Sequence, residues 1–296
     1  MKTLAESENY LAIPEENSNL QNSKIVLLSA PYEETTSYGG GCAYGPEAII
    51  AASAYVEFFD DEFERELCFE KGIATLEALD FTGRIDKEAL QLIEKQCTEL
   101  LEMDKFVVTL GGEHTISFAT IAAHYKKYPE MSLLHFDAHS DLRQEYLDNK
   151  YSHACVMARV CEFFPPQRIT QVGIRALCKE EHSFIKMHHI STFYASAIRK
   201  GIYGSNWQGQ IAETLSDTIY VSFDIDFFDP SLIPATGTPE PDGFFYSETI
   251  DVFREIKRLG KKIIGFDLVE LAPIADLHHC NLTPARLAYK LMNFAF

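Results

Sequence analysis

The sequence predicts an α/β fold of three layers, with helices on both faces of a central and mostly parallel sheet. Apolar runs of six to eight residues recur along the chain, with helical patterning between them. Those runs are dominated by apolar and β-branched residues, as expected of strands buried on both faces. Carboxylates and histidines gather directly after several runs, where such a sheet collects its ligands, outside the carboxyl ends of its strands.

The strands are expected at KIVLLSA (24–30), KFVVTL (105–110), MSLLHF (131–136), RITQVGI (168–174), TIYVSF (218–223) and KIIGFDLV (262–269). A first helix is expected to open with Pro46 after Gly45 and to run through EAIIAASAYVEFF, because proline's missing donor costs nothing in a first turn. A second is expected over 86–103, where Leu90, Ile93, Cys97, Leu100 and Leu101 keep helical spacing and Asp86 stands where a cap is needed. A last helix is expected over 284–292. Nothing resembling a repeat or a linker divides the chain, so a single domain over 1–296 is expected, with about residues 1–22 as an N-terminal extension.

The 296 residues carry a formal charge of −18. That balance argues against a nucleic-acid surface or an anionic membrane face, both of which need a basic patch, and favours cationic partners. No run approaches the ~18 consecutive apolar residues of a membrane span, and the polar, acidic start does not read as a signal peptide. Seven cysteines without CxxC pairing fit reduced thiols in a cytoplasm.

Three short stretches carry the chemistry: GGEH, DAHSD and SFDID. In a strand, side chains at i, i+2 and i+4 share a face, so Asp137, His139 and Asp141 are expected to converge, as are Asp224 and Asp226. With His114 they form a set of oxygen and nitrogen donors suited to a first-row ion such as Mn²⁺. Four carboxylates can gather only if cations neutralise them or several stay protonated. If Asp137 and Asp224 bridge two ions, His114 and Asp141 complete one site, and His139 and Asp226 the other. Two ions ~3.5–4 Å apart can hold a water as hydroxide near neutral pH, which points to a two-metal hydrolase.

GGEHTI, LLHFDAHSDLR and SFDIDFFDPSLIPATGTPEPDGF together resemble the conserved segments of the ureohydrolases, the arginase and agmatinase family, in order from about Ser37 to the C-terminus. The resemblance implies two Mn²⁺ per subunit held by His114, Asp137, His139, Asp141, Asp224 and Asp226, and hydrolysis of a guanidinium group to urea and an amine. It implies that Glu270 orients the cationic substrate and that His153 shuttles protons at the site mouth; Asp141 is expected to carry a proton to the leaving amine. It also implies a homo-oligomer, a trimer or hexamer. The glycine-rich stretch from Ser37 lacks a GK[ST] ending, so it is expected to line the site mouth and not to bind phosphate. Ala235 and Asp242 depart from the family's usual glycines, and Glu113 stands where aspartate is frequent.

DLRQEYLDNKYSHACVMARV resembles the agmatinase branch, so agmatine, a dication suited to an acidic protein, is the expected substrate, cleaved to putrescine and urea. A guanidino acid such as guanidinobutyrate is the alternative, with Arg143 or Arg159 as partner to its carboxylate; arginine stands behind it. Outside these, an inactive ureohydrolase-like binding protein or a dinuclear phosphoesterase is conceivable. Cys155 as a thiol nucleophile is disfavoured beside a metal cluster, His135 is expected in the core or at an interface, and Asp229 is expected to stabilise its loop.

Overall fold

A computed structural model describes residues 1–296. Eight strands form one sheet in the order β2-β1-β3-β8-β7-β4-β5-β6, and every pairing is parallel. The six expected strands are present as β1 (Ile25–Ala30), β3 (Phe106–Gly111), β4 (Ser132–Phe136), β5 (Ile169–Val172), β7 (Thr218–Asp224) and β8 (Lys262–Val269). The two that the sequence reading missed, β2 (Ile73–Thr75) and β6 (Ser191–Phe193), are three-residue edge strands, too short for any periodicity to register.

Side-chain alternation along each strand builds two cores. Ile25, Leu27, Val108, Leu134, Val221 and Leu268 face the helices Gly45–Ser53, Trp207–Thr214, Tyr246–Arg258 and His278–Ala295. Val26, Leu28, Val107, Leu133 and Tyr220 face Asp86–Glu102, Ser117–Lys127, Val156–Val160 and Lys179–His188. The three-layer αβα expectation therefore holds. Residues at the start of the chain are part of this packing: Tyr10, Leu11 and Ile13 are buried in the larger core. Asn9 accepts the Thr75 N–H and donates to the Ile73 carbonyl, which covers the β2 edge.

Three helix expectations need correction. The helix after Gly45 ends at Ser53, well before Phe59, because the Ser53 hydroxyl donates to the Ile50 carbonyl and accepts the Leu11 N–H. Asp86 does not cap its helix; it is the first helical residue, at φ 47°, and its carboxylate accepts from Asn149 while its N–H donates to the Tyr32 hydroxyl. The last helix begins at His278 with Pro284 inside it, since proline forfeits one ladder bond while the face carrying Cys280, Leu287, Leu291 and Met292 stays packed. No helix is long and apolar enough to cross a membrane.

Candidate metal centre and active site

Seven of the eight predicted site residues lie at or just past the carboxyl ends of the central strands, and His153 lies further along the chain in the turn His153–Cys155. His114 opens the turn after β3, Asp137 to Asp141 follow β4, Asp224 ends β7, Asp226 follows it, and Glu270 follows β8. The route differs from the period-two argument. Strand β4 stops at Phe136, and residues 137–141 run as a loop whose last member, Asp141, sits at φ 53°. A turning backbone, and not a shared strand face, brings the carboxylates together.

The His114 Nδ1 lies 3.1 Å from Asp137 Oδ2, 3.1 Å from Asp141 Oδ2 and 3.2 Å from Asp224 Oδ2. His139 Nδ1 lies 2.8 Å from Asp226 Oδ2 and 3.6 Å from Asp137 Oδ1, so Asp137 belongs to both groupings. Backbone donors hold the carboxylates in place: Ala138 N to Asp226, His139 N to Asp137 and Asp226 N to Asp224. Glu270, at φ 65°, accepts the His114 N–H at 2.7 Å. His153 starts a short turn at the cavity mouth, with Thr35 Oγ at 3.2 Å from Nδ1 and Ser37 Oγ at 3.3 Å from Nε2. A cavity of about 190 Å³ is lined by His114, His139, Asp141, His153, Asp224, Asp226 and Glu270, with Ser37, Arg143, Tyr146, Ala154 and Thr238 around them. A larger cavity of about 440 Å³, under the N-terminal segment, is lined by no histidine and holds none of this chemistry.

Electrostatics show what the cluster lacks. Burial pushes the carboxyls of Asp141 and Asp224 up, and the neighbouring Asp137 pushes both further; Asp137 itself is held well down, against burial, by His114, His135 and His139. Burial also pushes Glu270 up to about 8, with Glu113 adding to it. Negative charge is therefore in excess.

Hydrogen-bond bookkeeping at His114 tests whether a metal fits. The single Ser222 hydroxyl proton goes to Asp267 at 2.8 Å, so the 3.0 Å contact between Ser222 Oγ and His114 Nε2 is made by the imidazole's N–H. The remaining nitrogen, Nδ1, is buried without a hydrogen-bond partner and faces three carboxylate oxygens. Only a cation between them makes that arrangement favourable. Absent a metal, the cation is a proton, and the three aspartates raise the His114 pKa well above the ordinary range although burial opposes it. A divalent ion would replace that proton with a charge better matched to the site, and a mixed carboxylate and imidazole set suits a first-row metal. The donor atoms of Asp137, His139 and Asp226 likewise lie within 4.8 Å of one another.

Several residues here escaped the sequence reading. His135 is fully buried, as a core position expects, and its ring also contacts Asp137, a contact the sequence did not foretell. Asp267 accepts four hydroxyls beneath the site. Arg175 donates to the carbonyls of Asp226, Phe227, Phe228 and Glu240, which fixes the segment after β7. Thr35 donates to Glu113 and accepts the His153 N–H, tying the mouth loop to the floor. A charged or amide side chain inside an apolar run, as in KIIGFDLV or RITQVGI, was the only available signal for Asp267 and Gln171. Arg159 pairs with Glu162 and Gln144 and does not line the cavity, so it is not available to a substrate carboxylate. Asp229 accepts from Ser231 and Gly243, within its own loop.

Known proteins resemble the chain in sequence and in fold. A sequence model of the arginase family matches residues 23–294. The N(1)-aminopropylagmatine ureohydrolase of Synechocystis sp. is 35% identical over 279 residues, covering 92% of this chain and 89% of that protein. The agmatinase of Bacillus cereus is 32% identical, covering 90% of this chain and 89% of its own length. The crystal structure of the agmatine ureohydrolase of Thermoplasma volcanium superposes with a TM-score of 0.81 at 29% identity, covering 100% of this chain and 94% of that one. By fold and by sequence over nearly its whole length, the chain belongs to the arginase family of ureohydrolases.

Proposed function

We propose that the protein hydrolyses the guanidinium group of agmatine to urea and putrescine with two bound Mn²⁺ ions. The observation that carries this is the bare His114 Nδ1 facing three carboxylates on the wall of a cavity that also presents Glu270 and His153. His114 and Asp141 would hold one ion and His139 and Asp226 the other, with Asp137 and Asp224 shared. Bound there, the pair supplies a water made nucleophilic near neutral pH and stabilises developing negative charge.

The remaining tasks fall to this chain's own side chains. Glu270 pairs with the guanidinium: a cation beside it favours its ionised form, offsetting the burial that raises its pKa to about 8. Its bond from the His114 N–H leaves a carboxylate oxygen for the substrate. Asp141 holds the proton that the leaving amine needs, and His153, reached from the mouth, exchanges it with solvent. Tyr146 and Thr238 line the way in, and the chain's net charge of −18 attracts a dication.

A second reading takes agmatine extended by an aminopropyl group, supported by the name of the Synechocystis relative, an N(1)-aminopropylagmatine ureohydrolase at 35% identity. A urea-release panel tests both readings, using chelator-treated protein with and without added Mn²⁺, on agmatine, its N1-aminopropyl derivative, arginine and guanidinobutyrate. The expected result is Mn²⁺-dependent release from agmatine well above that from arginine. Faster turnover of the aminopropyl derivative would move the assignment to the second reading. Equal rates on arginine, or full turnover after chelation, would overturn the proposal.

A further inference from the structure

One row of polar side chains crosses the sheet directly beneath the metal centre. Register pairs Thr109 with Asp267, Asp267 with Ser222, Ser222 with His135, His135 with Gln171 and Gln171 with Thr192, across six adjacent strands. Neighbours in register point to the same face, so these side chains form a single line, flanked two residues earlier in their strands by the apolar Val107, Tyr220, Leu133 and Ile169. Two places in this row touch metal-ligand residues: Ser222 meets His114, and His135 meets Asp137 at 2.8 Å.

By distance alone His135 could be taken for a ligand, since its ring nitrogen lies within 4.8 Å of donors from His114, Asp137 and Asp141. Hydrogen-bond bookkeeping decides otherwise. Gln171 Nε2 lies 2.9 Å from the Ser140 carbonyl, which can only accept, so this end of the amide is the NH₂. Its oxygen accepts from Thr192 Oγ, in agreement with that orientation. The same NH₂ lies 3.1 Å from His135 Nδ1, which therefore accepts and carries no proton. The ring proton is left on Nε2, pointing at Asp137 Oδ2. His135, Gln171, Ser140 and Asp137 are all fully buried, so no water competes for these bonds.

We propose that His135, oriented by Gln171, is a positioning residue that donates its Nε2 proton to Asp137 and is not itself a metal ligand. This rests on the role given to Asp137 in the proposed function. Donation to one oxygen fixes the carboxylate's rotation, so that Asp137 is held facing both His114 and His139 before any ion arrives.

The test has two arms. In metal-free protein with ¹⁵N-labelled histidine, long-range ¹H–¹⁵N correlation reads the His135 tautomer, its signal assigned by its loss in His135→Gln. The expected state carries the proton on Nε2, and a proton on Nδ1 would overturn the proposal. Mn²⁺ affinity is then measured by calorimetry on the unsubstituted protein, His135→Phe, His135→Gln and Gln171→Glu, with thermal melting to establish that each is folded. His135→Phe keeps ring volume and removes the donor, and is expected to weaken binding about 10–100-fold. His135→Gln places an N–H donor at a similar reach and is expected to restore most of that affinity. Gln171→Glu removes the donor that keeps Nδ1 bare, and is expected to weaken binding as His135→Phe does. Undiminished affinity in folded His135→Phe, or no rescue in folded His135→Gln, would overturn the positioning role. Failure of the unsubstituted protein to bind Mn²⁺ would instead sink the metal assignment, and the tautomer arm would still decide the hydrogen bond.

Discussion

Replacing Asp267 should cost stability first and metal affinity second. Its carboxylate, fully buried, accepts Ser117 Oγ at 2.9 Å, Ser222 Oγ at 2.8 Å, Thr120 Oγ at 3.1 Å and Tyr220 Oη at 2.8 Å. In Asp267→Ala two donors find other partners: Thr120 keeps the Ser117 carbonyl at 3.1 Å, and the Ser222 proton can turn to His114 Nε2, 3.0 Å away, once the imidazole moves its own proton to Nδ1. Ser117 and Tyr220 are left with none. A stranded buried hydroxyl costs ~1–3 kcal/mol, so the pair loses ~2–6 kcal/mol. Part of that is returned because a buried carboxylate no longer has to be desolvated, leaving a net loss of about 2–4 kcal/mol. Against a total of ~5–15 kcal/mol this is large but survivable. Asp267→Asn keeps the shape and one acceptor, so it should lose less. Urea unfolding of the metal-free proteins measures both, as a shift in midpoint at constant slope. Without Asp267 the Ser222 proton is free to turn to His114 Nε2, so Mn²⁺ affinity should fall as well. A loss under about 0.5 kcal/mol in Asp267→Ala would refute the accounting, which leaves about 2–4 kcal/mol after the desolvation return.

Acid should destabilise the protein through His124. Burial holds this imidazole down at about 4, with Nδ1 donating to the Thr120 carbonyl and Nε2 unpartnered. Between pH 6.5 and about 4 the unfolded chain binds a proton that the folded protein does not, so stability falls as pH falls through that window, by about 3 kcal/mol in all. Below pH 4 this group contributes no further loss. His124→Phe should flatten the pH dependence across that range in chemical unfolding, and an identical slope in the variant would exclude His124 as its source. Cys155 is buried, and its thiol is pushed up to about 12 by burial and by the Asp141 carboxylate. Cys155→Ala should therefore leave urea release unchanged and iodoacetamide at pH 8 should not label this residue; lost turnover in a folded variant would reinstate the thiol.

The legible part of the fold was the part with periodicity. Six mainly apolar runs announced six central strands, because burial on both faces suppresses the regular polar alternation of a sheet with one wet face. The edge strands β2 and β6 were silent, since three residues carry no pattern. Helix ends were misjudged where a tertiary bond replaced a local one, as when Ser53 met Leu11 and Asp86 met Asn149. At the site, the spacing of Asp137, His139 and Asp141 correctly foretold convergence, but for a strand that ends one residue too early to produce it. The loop does so by a positive φ at Asp141, which no spacing rule anticipates.

What the sequence determined by itself was the inventory of donors and their place after apolar runs, because a parallel sheet must present those ends together. Tertiary structure alone decided which nitrogen of His114 and of His135 carries the proton in this reading. That choice is made by Asp267, Ser222, Gln171 and Ser140, on strands and loops remote in sequence from one another. A proton's position depends on which acceptor is nearest in space, and nearness across a sheet is a property of register that no stretch of chain encodes alone.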